Sequence, residues 1–353
     1  MRTPQRMAIS GAAPLTLLAA ALLPSCAEPT DRSEDARGVP VAVEPAALTA
    51  STRLTMDGGR FRINGVLTYP GQSAEGRLMN VRMVNSVFED TGRPGFNPSA
   101  NTEEFVGRMR EYVGLGVRAF TVSLQGGYPG YEGARNSAFL KNGDLKSDYL
   151  ARVARVIERA DALGAAIILS LYYQRQDQVL QDERAVRAGV VNVVDWIKRK
   201  GYRNVILETV NEYGHSGFAH AILRSDAGVA SLVRLAKNRY PALPVSASFL
   251  RNGQTTSQVA AASDLILTHF NSVALSDIPA RVRALRTGHP GKAIVCNEDS
   301  RSGSAAAAAA SASVQAAASY GLMVERQNQH YPFDFQGWSD DPAAYDRYLA
   351  LTR

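Results

Sequence analysis

From about residue 58 to the C-terminus, short β-rich runs are separated by longer stretches with helical spacing, over and over. A chain that alternates in this way forms a parallel sheet, because each helix must carry the backbone back to the start of the next strand. The runs that read as strands are Phe61–Thr68, Val117–Leu124, Ala165–Tyr172, Asn204–Val210, Pro244–Phe249, Leu265–Phe270, Lys292–Asn297 and Gly321–Glu325. Several are continuously apolar, as strands covered on both faces should be. Eight such units between residues 58 and 353 predict a single-domain α/β fold, the (β/α)8 TIM barrel, for which about 250 residues are typical. An open doubly wound sheet is the other arrangement with this alternation. Against it, no Gly-x-Gly-x-x-Gly turn follows an early strand.

The intervening helices carry their own signals. Asn101-Thr102-Glu103-Glu104 reads as an N-terminus with Asn101 or Thr102 as the cap, followed by Phe105, Met109 and Val113 along one face. Leu150, Val153, Val156, Ile157 and Ala160 give the next apolar stripe, which Gly164 ends, and Ala185–Lys200 and Val229–Arg239 continue the series. The alanine run Ala305–Ala310 reads as the start of the helix before the eighth strand, since alanine is the strongest helix former.

Ahead of the barrel stands a different kind of sequence. Arg2 and Arg6 precede an apolar stretch that closes with Leu22-Leu23-Pro24-Ser25-Cys26. This reads as a signal peptide over residues 1–25, too short in its apolar part to span a bilayer. Leu23-Pro24-Ser25-Cys26 resembles a bacterial lipobox, which would make Cys26 the lipidated first residue of the mature chain; simple secretion with cleavage near Ser25 is the alternative. Residues 27–52 are rich in Pro, Ala and charge without periodicity, so 26–57 is expected to be a lipidated cysteine and a flexible tether. The protein is therefore expected to be exported, as a cell-envelope lipoprotein or in secreted form, touching a membrane through a lipid anchor only.

Composition narrows the partners. The formal net charge is +6 with no run of five basic residues, so a nucleic-acid-binding stripe is not expected. With Cys26 assigned to lipid attachment, Cys296 has no partner, and its apolar setting Ala293-Ile294-Val295 marks it as a buried structural thiol.

In a barrel of this kind the functional side chains stand at the C-terminal ends of the strands. Two of those ends share a dipeptide. The fourth predicted strand runs into Asn211-Glu212 and the seventh into Asn297-Glu298. Two carboxyls facing each other across one opening are the minimum equipment for glycoside hydrolysis with retention, one to protonate the leaving oxygen and one to attack the anomeric carbon. Glu208 lies four residues before Glu212. Alternation places it deeper on the same face, with a structural pair to a basic residue as its expected role, while Asp299 is expected to point away from Glu298.

These strand ends resemble the acid/base and nucleophile positions of the clan A retaining glycoside hydrolases, the barrel clan that includes the family 5 cellulases and mannanases. The resemblance spans about residues 58–350. It implies Glu212 as general acid/base, Glu298 as nucleophile, and Asn211 as the partner of a sugar 2-hydroxyl. It further implies a His or Tyr after strand six, here His269, an arginine near the nucleophile, for which Arg82 is available, and an aromatic platform after strand eight, for which Trp338 is the candidate. It implies no cofactor and no metal, and an oligo- or polysaccharide as partner.

Other loop residues complete the expected cleft. Gln125-Gly126-Gly127-Tyr128-Pro129-Gly130-Tyr131 joins glycine to aromatics, so Gln125 is expected to reach a sugar hydroxyl and Tyr128 or Tyr131 to stack on a ring; a turn that needs positive φ is the competing reading. Tyr172-Tyr173-Gln174-Arg175-Gln176-Asp177 reads as a rim, with Tyr172 against substrate, and His215 is placed beside the acid/base. His215 and His220 are five apart, not the i, i+4 spacing of a helical zinc site, and no Gly-x-Ser-x-Gly elbow is present. The reading that results is a retaining β-glycoside hydrolase. The alternative is a carbohydrate-binding surface lipoprotein on a barrel without catalysis.

Overall fold

The computed structural model describes residues 52–126 and 136–353. The expected signal peptide, Cys26 and nearly all of the tether lie outside the described residues, as do Tyr128 and Tyr131.

The described chain opens with an antiparallel hairpin, β1 (Leu54–Asp57), β2 (Arg60–Ile63) and β3 (Val66–Leu67). This corrects the first expected strand. Phe61–Thr68 is broken by Asn64-Gly65, both at positive φ (52° and 83°), and Asn-Gly between two β-prone runs is the strongest short signal for a hairpin turn. It also corrects the expected tether boundary, because Leu54–Asp57 is already paired.

Eight parallel strands then follow. They are β4 (Asn80–Arg82), β5 (Ala119–Ser123), β8 (Ala166–Tyr172), β9 (Val205–Val210), β10 (Val245–Ser246), β11 (Ile266–His269), β12 (Ile294–Glu298) and β13 (Gly321–Leu322). A small antiparallel pair, β6 (Gln125–Gly126) with β7 (Asn136–Ser137), sits between β5 and β8. Six of the eight pair in the order β10-β9-β8-β5-β4-β13, and β11 pairs with β12. Parallel bridges Ser248–Leu267 and Val295–Ser319 join the two groups at both ends. The ring is thereby closed, and the protein is a (β/α)8 barrel. The expected count of eight survives because β4, within what had read as a connection, replaces the misread first strand.

Between the strands lie α1 (Pro98–Gly114), α2 (Ser147–Ala162), α3 (Glu183–Lys200), α4 (Asp226–Arg239), α5 (Ser257–Ala262), α6 (Ile278–Gly288) and α7 (Gly303–Gln315), and α8 (Pro342–Thr352) closes the chain. Helix α1 starts earlier than expected. Its cap is Asn97, whose side chain accepts from the Ala100 amide at 3.1 Å, with Pro98 in the first turn. Asn101 and Thr102 instead donate to the Asn85 and Ser86 carbonyls, tying α1 to the loop after β4. The alanine run lies in α7 ahead of β13, as its composition predicts.

Two apolar layers divide the strand residues by parity. Ile167, Leu169, Val205 and Leu207 pack outward under the helices, whereas Ala166, Ile168, Ile206, Leu265, Leu267 and Val295 fill the barrel interior. Leu54 and Phe61 of the hairpin belong to the inner layer. The hairpin thus plugs the N-terminal end of the barrel, and the polar interior positions are left for the opposite end.

Candidate active site

Period-two alternation carries the inward face up each strand until the ends, where two irregularities re-aim the side chains. On β12 the register against β11 slips, Thr268 facing Cys296 but His269 facing Glu298. A bulge of this kind puts two successive residues on the bulged strand opposite one on its partner. Asn297 follows Val295 inward by parity, and the slip turns Glu298 inward as well. On β9, Ile206 and Glu208 point in, but Val210 joins the outer layer, so the alternation expected to put Glu208 and Glu212 on one face breaks between them. Asn211 then turns inward, and Glu212 takes a left-handed backbone (φ 53°), with its amide donating to Ser248 Oγ at 3.1 Å.

The result is a compact polar cluster. Arg82 Nε lies 3.0 Å from Glu298 Oε2, and another of its nitrogens donates to Asn211 Oδ1 at 3.2 Å. His269 Nδ1 stands 3.3 Å from Glu212 Oε1 and 3.6 Å from Glu298 Oε1. Asn271 donates to Glu298 Oε1 at 2.6 Å, and Gln174 donates to Glu212 Oε2 at 3.2 Å. Glu212, Glu298 and His269 each bring one donor atom within 4.8 Å of the others. Arg82 and His269 are fully buried and Glu298 is 6% exposed, while Glu212 is more open.

Charges set the protonation of this cluster. Burial pushes the Glu298 carboxyl up, but the Arg82 charge, then His269 and the Asn271 hydrogen bond, outweigh it and leave its pKa below the ordinary value. For His269 burial pushes down, and the Glu298 charge, with the hydrogen bond and charge of Glu212, turns the net shift upward against Arg82. The pair therefore favours an ionised Glu298 beside an imidazolium. Two carboxylates and an imidazole also suit a divalent cation by donor type. Arg82, however, already supplies positive charge to Glu298 at contact distance.

Beneath this cluster Glu208 is fully buried, and its partner is not the expected basic residue. Asn297 Nδ2 donates to its Oε1 at 3.2 Å. Asp299 turns away from Glu298 and is clamped by Arg301 at 2.6 Å. Cys296 is buried, with its thiol pushed well up by burial.

Of the expected substrate contacts, Asn211, His269 and Arg82 converge on the two glutamates. Others do not. Tyr172 is buried against Phe139, ring centroids 5.0 Å apart, and its hydroxyl donates to the Val186 carbonyl of α3, because the strand turns it outward. Gln125 spends its carboxamide inside the fold, donating to Ser137 Oγ and the Gln176 carbonyl and accepting from the Tyr173 amide. Trp338 lies against the outer helices, its indole donating to Asp346 of α8 and its amide accepted by Glu111 of α1. His215 accepts from the Gly217 amide at 2.8 Å and shapes the loop after Glu212 without touching either carboxylate. Asn271 was missed, although it shares parity with His269 at the end of the sixth strand. A cavity of about 880 Å³ opens over the loops that follow β4, β7 and β8, with Glu89, Asn136, Lys146 and Gln176 in its wall. Neither Glu212 nor Glu298 lines it.

No family model and no curated protein sequence matches the chain. Solved structures do. A broad-specificity endoglucanase of glycoside hydrolase family 5 from Clostridium longisporum superposes with a TM-score of 0.58 at 10% identity, over 78% of this chain and 95% of that one. A family 5 glycoside hydrolase from Prevotella bryantii gives 0.56 at 9% identity, over 81% and 98%. The chain shares their barrel fold. A variant of the Prevotella bryantii enzyme, bound to a xyloglucan tetradecasaccharide, gives 0.56 at 8% identity, over 78% of this chain and 96% of that one.

Proposed function

We propose that the protein is a retaining β-glycoside hydrolase in which Glu298 is the nucleophile and Glu212 the general acid/base. The observation that carries this reading is the approach of the two carboxylates, with oxygens within 4.8 Å of each other at the mouth of the barrel. Double displacement uses about 5–5.5 Å between carboxyls, whereas direct displacement by water needs about 6.5–9.5 Å. The family 5 fold neighbours, some of them endoglucanases, support the same class. Glu298, kept ionised by Arg82, attacks the anomeric carbon as Glu212 gives its proton to the departing oxygen. The glycosidic C–O bond breaks and a glycosyl ester forms on Glu298. Glu212, now a carboxylate, takes a proton from water, whose oxygen displaces Glu298 from the sugar. Asn211, oriented by Arg82, is placed to bind the 2-hydroxyl, a contact that strengthens as charge develops on the ring. Export and lipidation at Cys26 belong to the same reading, which puts the enzyme where extracellular glycans are met.

Activity on a panel of aryl β-glycosides and β-linked polysaccharides tests the reading. Glu298→Gln should abolish turnover. Glu212→Ala should lose about 10²–10⁴-fold on poor leaving groups and much less on activated aryl glycosides, which need no proton. A Glu298→Gln variant as active as the wild type overturns the assignment. Glycan binding with no product from the wild type favours the binding-protein alternative.

A further inference from the structure

The N-terminal rim of the barrel, opposite the carboxylates, carries a cavity of about 310 Å³ whose wall holds Arg60 of β2, Arg77 just ahead of β4, Arg286 near the end of α6, and His289 and Lys292 in the connection to β12. No acidic side chain among the described residues lines it. Among the described residues Arg60 has Glu75 as an ion-pair partner, whereas Arg77 and Arg286 have no carboxylate within ion-pair distance and Lys292 feels Asp264 only from beyond it, where Asp264 pairs with Lys237. Arg77 donates to the Gly59 carbonyl at 3.2 Å and Arg286 to the Ala316 carbonyl at 3.4 Å. Lys292 donates to the Ala260 carbonyl at 2.6 Å and to that of Ser263, which fixes its charge in place. Burial lowers the pKa of Arg77, and the neighbouring charges of Arg286 and Arg60 lower it further. His289 is lowered by burial and by Lys292. Like charges gathered round a hollow without carboxylates repel one another, and an anion seated among them relieves that repulsion. Guanidinium forks match a tetrahedral oxyanion two bonds at a time.

We propose that this cavity is a binding site for a phosphate group, held chiefly by Arg77 and Arg286 with Arg60 and Lys292 beside them. A phosphomonoester solute and a lipid headgroup present the same chemistry here. The described chain also begins on this rim, since the Thr52 amide bonds to Asp161 at the end of α2 and the Leu54 amide to the Arg203 carbonyl ahead of β9.

The test uses the full chain with Cys26→Ser, so that no acyl group is attached, at constant ionic strength. Inorganic phosphate should raise the melting temperature saturably where chloride does not, and titration calorimetry should report one site. Arg286→Gln, on an exposed position, should weaken phosphate binding about tenfold or more, the loss expected for one charge-assisted contact. Arg77→Gln is the second variant, with circular dichroism to show that each is folded. Co-sedimentation with phosphatidylcholine vesicles, with and without phosphatidic acid, separates the sources. Enrichment on phosphatidate vesicles that Arg286→Gln abolishes identifies a headgroup, and saturable binding of inorganic phosphate without that enrichment identifies a soluble phosphate. Absence of both, or binding equal in the wild type and the folded variants, overturns the proposal.

Discussion

Asn297 donates to Glu208 over 3.2 Å, a bond that links the seventh strand of the barrel to the fourth directly beneath the residues those strands deliver, Glu298 and Glu212. The separation of the two carboxyls is then held by more than their own strands. Removing either partner leaves the other buried and unsatisfied, and lets the strand ends relax. Glu208→Ala and Asn297→Ala should each lower kcat, toward about 10²-fold if the carboxyls shift by an ångström, with KM changed far less. Because both variants break one contact, the double variant should be no worse than the poorer single one, with a coupling energy of about 0.5–3 kcal/mol. Glu208→Gln keeps an oxygen acceptor and should recover most of the activity. Additive losses in steady-state kinetics would count against the strut.

Arg82 supplies the charge that keeps Glu298 ionised. Replacing it with Met removes the largest influence opposing burial, so the Glu298 pKa should rise and the acid limb of kcat/KM should move to higher pH. Breaking a buried ion pair from one side also costs about 3–5 kcal/mol of stability. Arg82→Lys keeps the charge and loses the second contact to Asn211. It should therefore leave the acid limb near its wild-type position while kcat falls. A pH–rate profile for both variants separates charge from geometry.

The barrel and the paired glutamates were legible because both rest on coarse patterns. Seven of the eight apolar runs are strands of the ring, with β4 in place of the first, and carboxyls following the fourth and seventh runs give the opposing pair. Residues that depend on backbone irregularity were not legible. Tyr172 and Val210 have the parity of inward residues and point outward, while Glu298 and Glu212 reach the centre through a register slip and a left-handed backbone that no periodicity encodes. Gln125, at a strand end, and Trp338, well past one, follow from residue type, and type does not say which neighbour a side chain will satisfy. Asn271 and the Asn64-Gly65 turn did carry signals, parity in one case and turn chemistry in the other.

Phe61 tests the role of the N-terminal hairpin. It is 1% exposed and lies in the inner core with Ile168, Ile206 and Leu267, far down the barrel from the carboxylates. Phe61→Ala should cost about 3–5 kcal/mol in denaturant unfolding, as cavity-forming changes of this size do. Once folded, the variant should keep its KM and kcat, because the plug and the site occupy opposite ends. A selective loss of kcat at full stability would show that the hairpin reaches the chemistry.

The shifts of Glu298 and His269 have opposite senses, and together they define a pH window for stability. Glu298 is depressed on folding, so its contribution is present above the unfolded carboxylate value of about 4.3 and is lost as pH falls through the folded value. His269 is raised on folding, so its contribution is present below the unfolded imidazole value of about 6.5 and is lost as pH rises through the folded value. Both contributions are fully present only between about pH 4.3 and 6.5 and fade outside it, and melting temperature should peak there as far as this pair governs it. His269→Gln removes the alkaline fall and at the same time raises the Glu298 pKa, since the imidazolium is the second charge holding it down. The variant's stability curve should accordingly flatten on both sides, because the gap between the folded and unfolded pKa values of Glu298 narrows when the imidazolium is lost. Thermal unfolding followed from pH 4 to pH 9 decides it; an unchanged alkaline limb in His269→Gln would place the proton on some other group.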